Sequence, residues 1–353
     1  MNVFVIRSLV GIAFAVTAAA THAATLQVPE QHATVQAAID AAQPGDTVLV
    51  SPGVYRGPLR IEKSLTLRSL QGAEKTTLDG ARACNVIWVN GTGTEQVTIT
   101  GFKITNAWGP FEGDGLRCGF GGGLVLDAAV VTVSHNIITG NAACYGAGLA
   151  SNSLSFIHHN RIEGNPQPAE CRGAGDGGGI FLNSGLEGRP RWSVISDNLI
   201  TGHRVAANGG GIEIHGSKVR ITGNVIRNNQ AGYSGGAINV SRGIVDISRN
   251  VIAMNSLTEP GIGGGGINAD VIDPMDRAYV IGNVFEGNRA DQGSAVRLQG
   301  FYAQNIQFTL NDVRGRTAAA LVECQILPYV IRHNRMNNPL GGEMSGTCIL
   351  GDR

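Results

Sequence analysis

The chain has 353 residues, of which 51 are glycine (14%), and only 15% are charged, against a usual figure of about 25%. So little charge excludes a helical bundle laced with ion pairs, while 42% hydrophobic residues and a Gly plus Pro share of 63 in 353 exclude a disordered tract. Lys plus Arg and Asp plus Glu are both 27, so no global basic field exists to draw nucleic acid or an anionic membrane surface.

The chain opens with a targeting pattern. Met1–Arg7 carries one positive charge, Ser8–Ala20 is an apolar run, and Thr21-His22-Ala23 offers small residues for cleavage before Ala24. Residues 1–23 therefore read as a secretory signal peptide, whose apolar run Ser8–Ala20 is shorter than the roughly 20 apolar residues that span a bilayer, so no integral membrane anchor is expected. Next, Val35, Ala38, Ile39 and Ala42 recur at helical spacing after Thr34, the candidate N-cap, and predict one short amphipathic helix. Pro44-Gly45-Asp46 ends it, Thr47–Val50 starts the first strand, and Pro52-Gly53 turns the chain.

From there a repeat dominates. A phrase of the form x-Asn-x-Ile-x-x-Asn, followed by a glycine cluster and a short apolar alternation, returns as HNIITGN then GAGLAS, DNLITGH then GGGIEIH, and GNVIRNN then GGAINVS. The aligned asparagines are Asn136, Asn160, Asn198, Asn224, Asn250 and Asn283, spaced by 24, 38, 26, 26 and 33 residues. Within a unit the periodicity is two: Ile212, Ile214, Val219 and Ile221 alternate with polar neighbours, the mark of half-buried strands. A unit of three short strands cannot bury its apolar side alone and must stack on its neighbours, so the array is a solenoid. The aligned asparagine falls at a corner, where it tolerates left-handed backbone angles and its amide can bond the coils above and below.

These features, together with TVQAAIDAAQPGDTVLVSPGVYRGPLRIEKSLTLRSLQG at residues 34–72, resemble the right-handed parallel β-helices of the pectate-lyase-like superfamily, in particular NosD-like carbohydrate-binding and sugar-hydrolase domains. The resemblance implies an all-β, three-sheet right-handed parallel β-helix over residues 24–353, with the helix capping its open N-terminal end. It implies little about chemistry, because the superfamily hosts lyases, hydrolases, esterases, epimerases and proteins without known activity. The paired aspartates of pectin esterases and the clustered aspartates and Gly-His-Gly of polygalacturonases have no counterpart; only a lone Thr201-Gly202-His203-Arg204 stands here.

The strand after each glycine cluster alternates inward and outward. Its first outward column reads Val125, Ala150, Phe181, Glu213, Asn239, Asn268 and Arg297, and its second Asp127, Asn152, Asn183, His215, Ser241, Asp270 and Gln299. Coils are about 4.8 Å apart, so these columns predict one continuous sheet face, solvated and polar in its middle and C-terminal half. Glu213, His215, Asp270 and Arg297 are its candidate catalytic groups: a uronate lyase needs a cation and a base, and a glycoside hydrolase needs two carboxylates. Glu213 and Asp270 are two coils apart, roughly 10 Å, which is long for a retaining pair. Lys218 is the one lysine after Lys103, which disfavours a lysine-based lyase.

Two long corner loops, residues 108–120 and 166–176, are placed beside this face and carry Trp108, Phe111, Asp114, Arg117 and Asp176. With Phe181, Asn183, Asn239 and Asn268 these are the candidate sugar-binding residues. No cofactor or metal site is expected, Ca²⁺ being the one ion the loop carboxylates could take.

The six cysteines, with no CxxC pair, fit disulfides in an oxidising compartment rather than a metal cluster. Cys324–Cys348 would tie down the C-terminal end. Cys84–Cys118 with Cys144–Cys171 is the preferred pairing for the rest, with Cys118–Cys144 competing. The sequence thus predicts a secreted or periplasmic monomer that binds and cleaves or modifies a polysaccharide, the alternative being a non-catalytic surface or structural solenoid.

Overall fold

Each coil of the chain lays down three short strands in turn, and each strand pairs in parallel with its counterpart one coil away. The computed structural model describes residues 23–110, 118–171, 173–184, 191–260 and 263–351. The expected signal peptide, apart from Ala23, lies outside these residues, as do Phe111, Asp114, Arg117 and Arg172. Three sheets of 11 strands result: the first from Thr25–Val28 to Ile306–Thr309, the second from Gly53–Arg56 to Arg335–Asn337, and the third from Leu59–Ile61 to Met344–Leu350. The chain is a parallel β-helix, as the period-two pattern requires.

The predicted helix is present as Val35–Ala41, with the Thr34 side chain accepting from the Ala37 amide at 3.1 Å and Val35, Ala38 and Ile39 buried. The first strand is not Thr47–Val50, however. Thr25–Val28 precedes the helix and pairs with Thr47–Val50 in parallel, adding one strand below the expected start of the first sheet. Its alternation is too short to stand out in the sequence, and its own burial pattern is mostly exposed because it forms the sheet's edge.

Inward side chains stack by type. Ile200, Ile226 and Ile252 follow one another in the second sheet, and Ile180, Ile212, Ile238 and Ile267 in the third, all fully buried. Each such side chain removed from water stabilises by about 1.5–3 kcal/mol, and it does so only because a neighbouring coil covers it.

The corner between the first and second sheets carries the expected asparagine ladder. The backbone amide and Nδ2 of Asn224 donate to Asn250 Oδ1 at 2.9 and 3.0 Å, and Nδ2 also reaches the Ile195 carbonyl at 2.9 Å. Asn198 treats Asn224 the same way, and the ladder continues beyond Asn283 to Asn311 and Asn334.

A second ladder, at the far end of the second-sheet strands, was not foreseen. It is built from the last residue of each repeated phrase: Asn141, Asn165, His203, Asn229, Asn255 and Asn288. His203 stands where the other coils place asparagine. With its proton on Nδ1 it donates to Asn229 Oδ1 at 3.0 Å, and its Nε2 then accepts from Asn165 Nδ2 at 3.2 Å. Burial pushes its pKa down to about 4, so it is a neutral structural residue. Glycine makes room for this ladder: a Cβ on Gly211 would stand 3.2 Å from Asn229 Nδ2 and 2.8 Å from the Ala237 carbonyl oxygen.

All three preferred disulfides are formed, Cys84–Cys118, Cys144–Cys171 and Cys324–Cys348, with Cα separations of 4.8, 5.6 and 5.0 Å. Among the described residues no helix is long and apolar enough to cross a membrane.

Candidate functional site

The register of the third sheet places the first outward column as the alternation predicts. Val125 pairs with Ala150, Ala150 with Phe181, Phe181 with Glu213, Glu213 with Asn239, Asn239 with Asn268, and Asn268 with Arg297. Arg297 then meets Glu323, and toward the N-terminus the column continues as Trp88 and Arg60, beside a cavity of about 410 Å³.

A further column lies alongside, one residue ahead of each glycine cluster: Phe120, Tyr145, Asp176, Asn208, Ser234 and Gln292. Bridges link Phe120 to Tyr145 and Asn208 to Ser234, and the Gly146 and Gly177 amides bond the carbonyls of Asp176 and Asn208 at 3.0 Å. The glycine that follows each of these residues turns the chain through left-handed angles, as at Gly177 (φ 63°) and Gly209 (φ 63°). A Cβ there would meet the carbonyl oxygen of the next strand's first residue, 2.3 Å away at Gly177 and 2.5 Å at Gly209. The repeated glycine is therefore what brings the preceding side chain to the sheet face.

The expected solvated face is largely closed. Glu213, Asn239 and Asn268 are 2%, 2% and 1% exposed, although His215 and Asn183 remain open to solvent. Burial is made tolerable by a hydrogen-bonded relay across four coils. Glu213 Oε1 accepts from Ser241 Oγ at 2.6 Å and from Asn239 Nδ2 at 3.2 Å; Asn239 Oδ1 accepts from Asn268 Nδ2 at 2.8 Å; Asn268 Oδ1 accepts from Arg297 Nη1 at 3.0 Å. Arg297 Nη2 donates to Gln299 and to Gln325 Oε1, and Nη1 lies 4.0 Å from Asp270 Oδ1.

The relay leaves three atoms over. Among the described residues the buried side-chain atoms without a hydrogen-bond partner are Glu213 Oε2, Asp270 Oδ1 and Arg297 Nε. An unpaired buried polar atom costs about 1–3 kcal/mol. Three on one face of one sheet mark where the protein carries that cost together.

Electrostatics point to the same place. Burial first, and then the neighbouring Asp176, holds the Glu213 carboxyl well above the usual carboxylate range. Asp176 is itself raised by burial, partly offset by bonds from Asn208, whose amide lies 2.8 Å from Oδ1, and by the charge of nearby His215. Asp270 is raised by burial against the opposing pull of Arg297. The N-terminal end of the face is aromatic instead: Phe120 stacks on Tyr145 with centroids 4.8 Å apart, and Phe181 closes on both at 6.0 and 5.5 Å.

The structure therefore brings Glu213, Asn239, Asn268 and Arg297 into one hydrogen-bonded array, with Asp270 4.0 Å from Arg297 and with Asp176, His215 and Phe181 at its edge. Trp108 stands apart, in the short strand Trp108–Gly109 that pairs with Ala142–Ala143, its ring under the Arg82 guanidinium at 4.6 Å. Tyr145, Phe120, Ser241, Gln299 and Gln325 join the site without having been assigned a part in it from the sequence. The position ahead of each glycine cluster was the signal that could have found Tyr145. Among the described residues no three His, Cys, Asp or Glu side chains gather as metal ligands.

Three parallel sheets laid down coil by coil define the parallel β-helix class. The sequence profile of the right-handed β-helix region matches residues 73–252, half of the chain, and the chain belongs to that family. The solved structure of an alginate lyase from Paenibacillus sp. str. FPU-7 is similar over 92% of this chain and 99% of its own, with a TM-score of 0.50 and 18% identity, a likeness of fold. No curated protein matches the sequence.

Proposed function

We propose that this chain is a secreted or periplasmic protein that binds an extended polysaccharide along the outward face of the third sheet and acts on it by acid–base chemistry. The observation that carries the reading is the polar array from Glu213 through Asn239 and Asn268 to Arg297, flanked on the same face by the exposed Asn183 and His215. A ligand rich in hydroxyl groups offers both donors and acceptors to the exposed polar groups of that face, and the aromatic trio Phe120, Tyr145 and Phe181 offers ring faces at the other end. Glu213 and Arg297 are three coils apart, about 14 Å, which suits successive sugars of one chain better than a single reacting centre.

Bond cleavage is assigned to the edge of the face, where Asp176, Glu213 and His215 meet. A Glu213 carboxyl kept protonated by burial is a proton donor, and Asp176 or the exposed His215 is the base that completes the pair. Arg297 sits with Asp270 and two glutamines and serves to hold a sugar carboxylate or hydroxyl. The three disulfides support the oxidising location.

A panel of uronate and neutral polysaccharides, assayed for binding, for unsaturated products and for new reducing ends, tests the reading. Arg297→Ala and His215→Ala are each expected to lower turnover by about 10²-fold with the fold intact. Full activity in both variants, or the absence of binding to every polymer, overturns it.

A further inference from the structure

The corner between the first and second sheets gathers histidines that the carbohydrate reading does not use. His135 and His159 occupy the same left-handed corner position in successive coils (φ 55° each) and stack with ring planes 8° apart and centroids 5.1 Å apart. His158, the last residue of the strand Leu154–His158, stands beside them, its ring perpendicular to that of His159 and its Nδ1 only 3.1 Å from His159 Nδ1. In the metal-free chain one of these nitrogens donates and the other accepts.

We propose that His158 and His159 form a binding site for a borderline divalent transition metal, Cu²⁺, Ni²⁺ or Zn²⁺. Two imidazole nitrogens 3.1 Å apart fit one ion at the usual bond length of about 2.0–2.1 Å, subtending about 100° at the metal, between the tetrahedral and square arrangements. Coordination needs no net loss of protons when both rings are neutral: the ring whose Nδ1 donates moves that proton to its Nε2, the other already carries its proton there, and both then present Nδ1 to the ion. Burial and the two neighbouring imidazoles hold His158 below the ordinary histidine pKa, which favours its ligating form. His135 lies flat against His159 and fixes that ring. Asp197, next in the corner column, is not a third ligand: its Oδ1 lies on the Gly223 side, 2.5 Å from where a Gly223 Cβ would stand. Among the described residues no set of three ligating side chains forms, so water completes the shell.

The test is calorimetric titration of the tag-free protein, stripped with EDTA, with CuCl₂, NiCl₂ and ZnCl₂ in turn. One ion per chain is expected, tightest for Cu²⁺, with no competition from excess CaCl₂. His158→Ser copies Ser134 and Ser196, its register partners on either side, and His159→Asn keeps a residue suited to the left-handed corner. Each should weaken binding at least tenfold while leaving the thermal midpoint of the metal-free protein unchanged. No saturable binding, or equal binding by the parent and both variants, overturns the assignment.

Discussion

Replacing His203 by asparagine should remove an acid sensitivity built into the second ladder. His203 titrates at about 4 in the folded chain against 6.5 ordinarily, because its ring is wholly buried between Asn165 and Asn229. A histidine with a depressed folded pKa lends stability that is complete above its unfolded value and is lost as pH falls toward the folded one, since the unfolded chain takes up the proton first. Between about pH 6.5 and pH 4 the parent should therefore lose about 3 kcal/mol from this residue alone. Asparagine cannot titrate, and it makes the ladder bonds seen in five neighbouring positions. Urea unfolding of the parent and His203→Asn at several pH values across this window reads the difference directly. The stability gap should open in favour of the variant as pH falls. Parallel curves would show that His203 is neither neutral nor confined as described.

Two further outcomes follow from the buried polar groups. Asn224→Leu removes the acceptor of two Asn198 bonds and the donor to Ile195 and Asn250, and should cost on the order of 1–3 kcal/mol for each group left buried and unpaired; an unchanged thermal midpoint would contradict the ladder. Glu213→Gln should stabilise the chain progressively as pH rises. A carboxyl whose folded pKa is raised lends stability that is full below about 4.5 and is lost as pH climbs toward the folded value, and glutamine has no such loss. Urea midpoints of the two proteins should therefore diverge between acid and neutral pH, while turnover that needs the Glu213 proton falls in the variant.

Much of the architecture was open to view in the repeated phrase. Period two gave strands, the first asparagine of each phrase gave the corner, and alternation placed Phe181, Glu213, Asn239, Asn268 and Arg297 in one column. The second ladder was equally visible in the letters, but its members end a strand whose role only stacking reveals, and His203 broke the run of asparagines. Closure of the site face was out of reach for another reason. Whether Glu213 is wet depends on where the residues ahead of each glycine cluster lie, and that is set by left-handed turns in successive coils rather than by any property of the strand. Asp176 shows the same limit. From the sequence it is a loop residue 37 positions before Glu213; in the folded chain it is close enough to shift that carboxyl.

The disulfides divide the molecule in a way that bears on its handling of redox change. Two of them rivet coils in the N-terminal half and one fastens the last coils, while residues 172–323 contain no cysteine at all. Glu213, Asp270 and Arg297 all fall in that uncrosslinked middle, held by amide stacks and aliphatic columns. A reducing environment would slacken both ends of the rod first and leave its working surface until the loosening had travelled inward, coil by coil.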